Sequence, residues 1–546
     1  MVSGRDPAGT TVWPSPPGPR GAARGVRLGR WAALPAVAAW MAGCAELGPD
    51  YARPTPPVAS HWLDAGAPRL KTRPSELRLW WKVFQDPVLD RLIETAYRQN
   101  LPLQAAGVRV LEARARLGAA VGNLYPQVQQ ALGSLQYNRL SQTTLQGTFA
   151  KIFAYTQSQL GFNASWEIDF WGRFRRAVES ADYSLLASLA DYDSALVTLT
   201  ADVATNYILF RTAQQRLAIA RHNVETQRES LKIAEARFQG GTTSQRDVEQ
   251  ARTVLASTEA TIPALEIAMR QSTNALSILM GQPPKDLSRY LAGSAGIPSA
   301  PPAVIVGIPA DLLRRRPDIQ VAELQAAAQS AQIGITKAEL YPAFSLSGQF
   351  GLLAADVGKY SLGDMFNWQS RFGAIGPTVR WNILNYGQIT NQVRAQDARF
   401  QELLLQYQNA VLTAQREVED SLVAFLKSED RARSLRESTE AALRSLDLAV
   451  LQYRQGITDF TTVLTAQQSL LTEQDNLAST LGDIARNLVG VYRALGGGWQ
   501  IREGNDLLPE NVKKVMAERT DWGKLLTPAT YLQPPAPKHP VRAPDW

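Results

Sequence analysis

A seven-residue apolar period, written twice at an offset of 215 residues, limits what this chain can fold into more than any other feature. The first row reads Leu189, Leu196, Val203, Phe210, Leu217, Val224, Leu231, Phe238. The second reads Leu404, Val411, Val418, Phe425, Ala432, Thr439, Leu446, Tyr453. Each stops just before a glycine, Gly241 or Gly456, and then resumes as Val248, Leu255, Ile262, Met269, Leu276 or as Val463, Leu470, Leu477, Ile484, Val491. A period of seven held this long predicts helices that pack side by side and supercoil. At about 1.5 Å per residue, Leu189 to Phe238 alone is a rod of roughly 75 Å. No compact core needs such a rod, so it spans something.

Composition removes several alternatives. Hydrophobic residues make up 45% of 546, and no run of about 18 apolar residues occurs, so helical membrane spans are not expected. Membrane strands leave a weaker signal and stay open. Cys44 is the sole cysteine, so the chain forms no internal disulfide. His61, His222 and His539 lack ligand spacing and read as surface residues, which leaves no metal site, cofactor site or catalytic triad to build. The formal charge of +7 is concentrated at the start, where residues 1–43 hold five arginines and one acid. That is no nucleic-acid footprint.

Arg24, Arg27 and Arg30 precede a short apolar run, Trp31 to Trp40, and then Met41-Ala42-Gly43-Cys44. Basic, apolar and small residues in that order form a secretory signal. A cysteine directly after the small residues resembles a bacterial lipobox, with Met41 in place of the usual leucine. That resemblance implies lipidation of Cys44 and, with Ala45 rather than aspartate following, the outer membrane. Residues 45–75 are rich in proline and too polar to fold alone, and they read as a tether along the body.

Helix signals run from about Glu76 to Asn123, broken near Asp86-Pro87 and Asn100-Leu101-Pro102. Tyr125-Pro126 then stops the helix, and Tyr341-Pro342 repeats the device in the second copy. Alternation of period two follows each switch. Phe162, Ala164, Trp166, Ile168 and Phe170 oppose polar neighbours, as do Phe344, Leu346, Phe350 and Leu352, and then Val379, Trp381 and Ile383. Alternation alone fits a lipid-facing barrel and a soluble sandwich equally. The first strand, near Pro126–Tyr137, alternates poorly, and Pro377 suggests an edge or a bend in the fourth. Loops are expected at about 138–154 and 353–371. WEIDFWG (166–172) and WNILNYG (381–387) mark the return to helix. Four strands cannot close a useful lumen, so several chains must share one.

The paired Tyr-Pro switches, LRRRPDI at 313–319, and the tips Arg237-Phe238-x-x-Gly241-x-x-Ser244 and Gln452-Tyr453-x-x-Gly456-x-x-Asp459 resemble the outer membrane factors. These are TolC-like exit ducts, and the likeness is to the lipidated NodT-type branch over residues 45–500. The resemblance implies a mostly α fold with membrane β. In it, a duplicated unit of two strands plus long coiled-coil helices trimerises into a 12-strand β-barrel continuous with a 12-helix periplasmic α-barrel. The expected organisation is a signal peptide at 1–43, a lipidated tether at 44–75, and a first repeat at 76–281. An equatorial linker at 282–316, a second repeat at 317–496 and an equatorial tail at 497–546 follow. Pro263 inside the second long helix, where the other copy has Ala478, predicts a local break near Thr261-Ile262.

The family closes its periplasmic end with links among carboxylates, arginine, tyrosine and threonine near the helix tips. Matching the tip glycines places Arg246 and Asp247 there in the first copy. In the second copy the positions are Tyr453, Thr458, Asp459, Thr462 and Thr465. Asp247 also suits a helix first turn, where a carboxylate meets the dipole. If it lines the aperture, three copies make an acidic ring. Gly241 and Gly456 are expected to end helices in the left-handed region. With Thr242, Ser244 and Thr458 they form tips that, by the resemblance, meet a periplasmic adaptor protein. The implied partners are two further copies of the chain, that adaptor, an inner-membrane transporter of RND type and outer membrane lipid. The expected function is a passive exit duct of a tripartite efflux system, not an enzyme. The outer component of type I protein secretion and a non-conducting envelope scaffold are the alternatives. The scaffold explains the heptads but neither the strands nor the switches.

Overall fold

The computed structural model describes residues 46–71, 77–143, 154–293, 296–307, 309–310 and 315–527. The signal segment, Cys44, Leu313 and Arg314 lie outside the described residues. Helix α1 (Pro87–Gln99) begins where Asp86 accepts from the backbone of Val88 and Leu89, and α2 (Leu101–Gly122) begins where Asn100 accepts from Leu103. Both breaks fall at the expected X-Pro positions, because proline is tolerated in a first helical turn.

The duplication is carried into the fold without slippage. Helix α3 (Arg173–Gln239) and its counterpart α7 (Gln388–Arg454) each have 67 residues, about 100 Å of rod. Their return helices, α4 (Gln245–Leu279) and α8 (Phe460–Ala494), each have 35. Both long helices start at a left-handed glycine, Gly172 (φ 74°) or Gly387 (φ 80°). The heptad rows become the seam: Leu196, Val203, Phe210, Leu217 and Val224 are buried in one copy, and Val411, Val418, Phe425, Ala432, Leu446 and Tyr453 in the other. Between α4 and α7 lie a short turn of helix, α5 (Ser288–Leu291), and then α6 (Pro317–Ala338), which packs against α3 and α7.

Helix α4 corrects one expectation. It runs unbroken through Thr261-Ile262 and Pro263. The proline ring sits on the exposed side, between the buried Thr258 and Leu265. The Glu259 carbonyl it deprives therefore faces solvent, and water can satisfy it while packing on the opposite face holds the helix.

Strands β2 (Val128–Arg139), β3 (Ala154–Ile168), β5 (Ala343–Ala355) and β6 (Arg371–Arg380) form one antiparallel sheet in the order β2-β3-β5-β6, so a hairpin from each copy meets at the centre. Pro377 sits on edge strand β6, opposite Leu346, where the missing donor is tolerated. The boundaries differ from the alternation in places. Strand β3 ends before Phe170 and β6 before Trp381 and Ile383, while β5 extends to Ala355. Phe170, Trp381 and Ile383 continue the hydrophobic pattern outside the ladder. Helix α9 (Glu510–Arg519) closes the described chain.

Residues 46–71 lie along the body. Gly48 (φ 96°) presses on Gly334 of α6 so closely that a Cβ on Gly48 would stand 2.6 Å from the Gly334 Cα. Arg176, almost wholly buried, donates to the Leu47 carbonyl (3.2 Å) and to Asp50 (2.8 Å). Arg53 pairs with Glu323 and Arg69 with Glu429. Trp62 is buried and donates to the Gly307 carbonyl at 3.2 Å. Leu70–Lys71 (β1) pairs in parallel with Val304–Ile305 (β4).

Candidate functional site: the helix tips and the seam above them

The two tips are built alike by local chemistry. In the first, Gly241 (φ 74°) donates to the Phe238 carbonyl, and Thr242 donates to that of Arg237 at 2.9 Å. Ser244 then caps α4. The Asp247 amide donates to Ser244 Oγ (3.4 Å), and the Ser244 amide donates back to Asp247 Oδ2 (3.2 Å), a reciprocal capping box. Thr243 Oγ1 adds a bond to Asp247 Oδ2 at 2.6 Å. The Thr243 hydroxyl, with Ser244 behind it, holds the Asp247 carboxyl below the usual carboxylate range. Arg246 is exposed, 3.9 Å from Asp247 Oδ1.

In the second tip, Gly456 (φ 74°) donates to the Tyr453 carbonyl at 3.1 Å. Asp459 caps α8 by accepting from the Thr462 amide (3.2 Å) and hydroxyl (2.7 Å), and Thr458 donates to Thr462 Oγ1 at 3.0 Å. Thr465 stands apart and bonds the Thr461 carbonyl one turn behind it. Ser445, Asp459, Thr461, Thr462, Thr465 and Ser469 line a groove of about 410 Å³ rich in hydroxyls.

Within one chain, Asp247 and Tyr453 are not brought together. Tyr453 instead packs on Phe460, with ring centroids 5.1 Å apart, beneath the Arg237 guanidinium, whose carbon is 4.1 Å from the Tyr453 centroid. The Tyr453 hydroxyl is shielded and has no hydrogen-bond partner among the described residues. A cation over an aromatic face is attractive, more so when both are partly desolvated.

Arg237 is the lowest rung of a polar ladder that the apolar period concealed. Arg216 makes a two-pronged bond to Asp475 (2.6 and 2.8 Å), Asn223 donates to Gln474 (2.9 Å), and Gln467 donates to Ser230 (2.7 Å). Positions 216, 223, 230 and 237 each precede one member of the first heptad row. That spacing was the available signal. The ladder joins α3 of the first copy to the second copy's hairpin.

At the other end of the rods, the switches are fastened by tryptophan. Trp166 Nε1 donates to the Leu124 carbonyl (3.2 Å), just before Tyr125-Pro126. Trp381 Nε1 donates to the Leu340 carbonyl (3.0 Å), just before Tyr341-Pro342. Trp171 Nε1 reaches the Pro342 carbonyl at 2.9 Å. The LRRRPDI motif also acquires a cause. Arg316, buried, bonds Asp318 (2.7 and 3.0 Å), Glu417 of α7 (2.7 Å) and the Ala494 carbonyl ending α8 (2.8 Å). Burial opposes its charge, but Asp318 and Glu417 outweigh that and raise its pKa. Among the described residues no group of three or more His, Cys, Asp or Glu could hold a metal.

Duplicated helical rods joined to a shared four-stranded sheet make up the body of the chain. The family model described as "Outer membrane efflux protein" matches residues 92–282 and 308–497, and the chain belongs to this family. It is 30% identical over 435 residues to Nodulation protein T of Rhizobium leguminosarum bv. trifolii, covering 79% of this chain and 89% of that one. It is 32% identical over 455 residues to the pyoverdine export outer membrane protein OpmQ of Pseudomonas putida, covering 82% and 94%. The solved outer-membrane channel OprN superposes with a TM-score of 0.78 at 32% identity, over 84% of this chain and 100% of that one. The function is that of the family: an outer membrane channel of a tripartite efflux system in a Gram-negative bacterium, working with a periplasmic adaptor and an inner-membrane pump.

Proposed function

We propose that three copies close a 12-strand barrel in the outer membrane, continuous with a 12-helix tunnel in the periplasm. The sheet carries this reading. One face presents Leu135, Phe162, Trp166, Leu346, Phe350, Ile375 and Val379, all exposed. The opposite face presents Gln130, Asn163, Ser165, Ser347, Gln349 and Thr378. Strands β2 and β6 leave open edges. Open edges are not tolerated in lipid, and closure by further copies pairs them. Apolar outside and polar inside is the pattern of a membrane barrel, whereas a sandwich would need a second sheet over the apolar face.

In this duct Cys44 is acylated and anchors the chain in the outer membrane. The tips dock the adaptor through Gly241, Thr242, Ser244, Gly456 and Thr458. Asp247, Arg246, Tyr453, Asp459, Thr462 and Thr465 set the resting aperture between neighbouring copies. Energy comes from an RND-type pump, and the duct itself performs no catalysis. Relatives named for pyoverdine export and for toluene efflux support small-molecule cargo over secreted protein. Conductance of the purified protein in planar bilayers tests the reading. Discrete small steps are expected, and silence from a folded, membrane-extracted trimer refutes the duct.

A further inference from the structure

The register places three carboxamides side by side across three strands. Gln130 lies opposite Asn163, and Asn163 opposite Gln349, with Ala374 completing the row on β6. The next tier toward the rods is Val128, Ser165, Ser347 and Gly376, in which the Ser165 and Ser347 hydroxyls are 3.1 Å apart. The tier on the other side is Leu132, Gly161, Gly351 and Phe372. There the Phe372 ring covers Gly351, with Cε1 at 2.8 Å from where a Cβ would stand. All three tiers share the face opposite Phe162 and Phe350.

Charge is missing from these tiers. The strands carry charged side chains only at or next to their ends: Arg139, Glu167, Arg371 and Arg380. Asn163 Oδ1 is shielded and has no hydrogen-bond partner among the described residues, although amide donors stand in the same row. Charged rings sort ions, whereas carboxamides offer donors and acceptors with no net charge.

Resting on the barrel proposed above, we infer that Gln130, Asn163 and Gln349, repeated around the lumen, form a neutral collar that determines specificity there. The collar engages uncharged hydroxyl and amide groups of passing solutes and does not sort ions by charge. The aromatic surface of Phe372 beside the amides suits solutes with both hydrogen-bonding edges and an apolar face. Charge selectivity of the whole duct then arises elsewhere along its length.

The test uses the full-length trimer in planar bilayers under a salt gradient, at about 0.1 M or below so that screening extends across about 10 Å or more. Asn163→Asp and Asn163→Lys each add one charge per subunit to the collar. Their reversal potentials should move to opposite sides of the wild type, and Gln349→Glu should follow Asn163→Asp. Raffinose added on the barrel side should interrupt the wild-type current, and Asn163→Val with Gln349→Met should shorten those interruptions severalfold. Asn163→Cys and Phe162→Cys, treated with a charged membrane-impermeant thiol reagent, test the underlying barrel separately, with the wild type and its Cys44 as background. Labelling at Phe162→Cys rather than Asn163→Cys would overturn the barrel itself. Labelling at Asn163→Cys with reversal potentials unmoved in all three charged variants, or raffinose interruptions of equal length in both proteins, overturns the collar and leaves the barrel standing.

Discussion

Replacing Arg316 by methionine removes a side chain at which the start of α6, the middle of α7 and the end of α8 meet. Four hydrogen bonds are lost: two to Asp318, one to Glu417 and one to the Ala494 carbonyl. The carbonyl is the costly partner, because its environment is buried and no water replaces the guanidinium without rearrangement; an orphaned group of this kind costs about 1–3 kcal/mol. Asp318 and Glu417 have side chains 44% exposed, so they rehydrate and their share is small. A total of about 3 kcal/mol follows, at the low end for breaking a buried charged contact. With an unfolding entropy of about 2 cal/mol/K per residue over 546 residues, the melting midpoint should fall by about 2–3 °C. Thermal unfolding in detergent reads this, and amide exchange localises it to the start of α6 and to residues 490–498. Arg316→Lys should recover about half, because lysine keeps the charge but lacks the planar fork. In a double-mutant cycle, Arg316→Met and Glu417→Gln should couple. An unchanged midpoint, no faster exchange at those two segments and zero coupling would refute the keystone role.

Asp247→Ala should enlarge the conductance steps and, through loss of the capping box, cost about 1 kcal/mol at the first tip, read by local amide exchange. Because Asp247 titrates below the usual carboxylate value when folded, its contribution is complete above about pH 4 and is lost as pH falls through the lowered value. Exchange at residues 243–248 should rise on acidification in the wild type but not in Asp247→Ala, and equal pH dependence would contradict this. Gly334→Val should unseat residues 46–71 from the body, since any Cβ there overlaps the Leu47 carbonyl, and limited proteolysis should then cut within that segment while the trimer persists. Pro263→Ala should stabilise α4 by roughly 2 kcal/mol, because it restores the bond to the Glu259 carbonyl, less the entropy that proline removes from the unfolded chain. Slower exchange at 259–267 would show it, and unchanged exchange would mean that the restored bond is worth no more than the water contact it replaces.

Much of the fold was legible because its signals are local or periodic. The heptad rows mark the buried seam directly, since residues seven apart share one helix face. The Tyr-Pro switches and the left-handed tip glycines follow from backbone sterics within four residues, whereas the caps at Ser244 and Asp459 emerged only with the structure. The strand boundaries were less legible. Trp381 and Ile383 continue the alternation but leave the ladder, because alternation records burial rather than pairing.

The sequence by itself therefore determined the rods, the duplication, the turn chemistry and the need for more than one copy. The tertiary structure decided what meets what. Arg316 finds Glu417 and Ala494 across separations of 101 and 178 residues, and Arg502 grips Asp193 across 309. Residues 46–71 lock onto the body where Gly48 and Gly334 let two backbones touch. Arg237 covers Tyr453 rather than leaving it to Asp247. Such partners lie on different elements, so no spacing along the chain records them; the packing of finished helices, and the cost of leaving a buried charge or carbonyl unpaired, selects them.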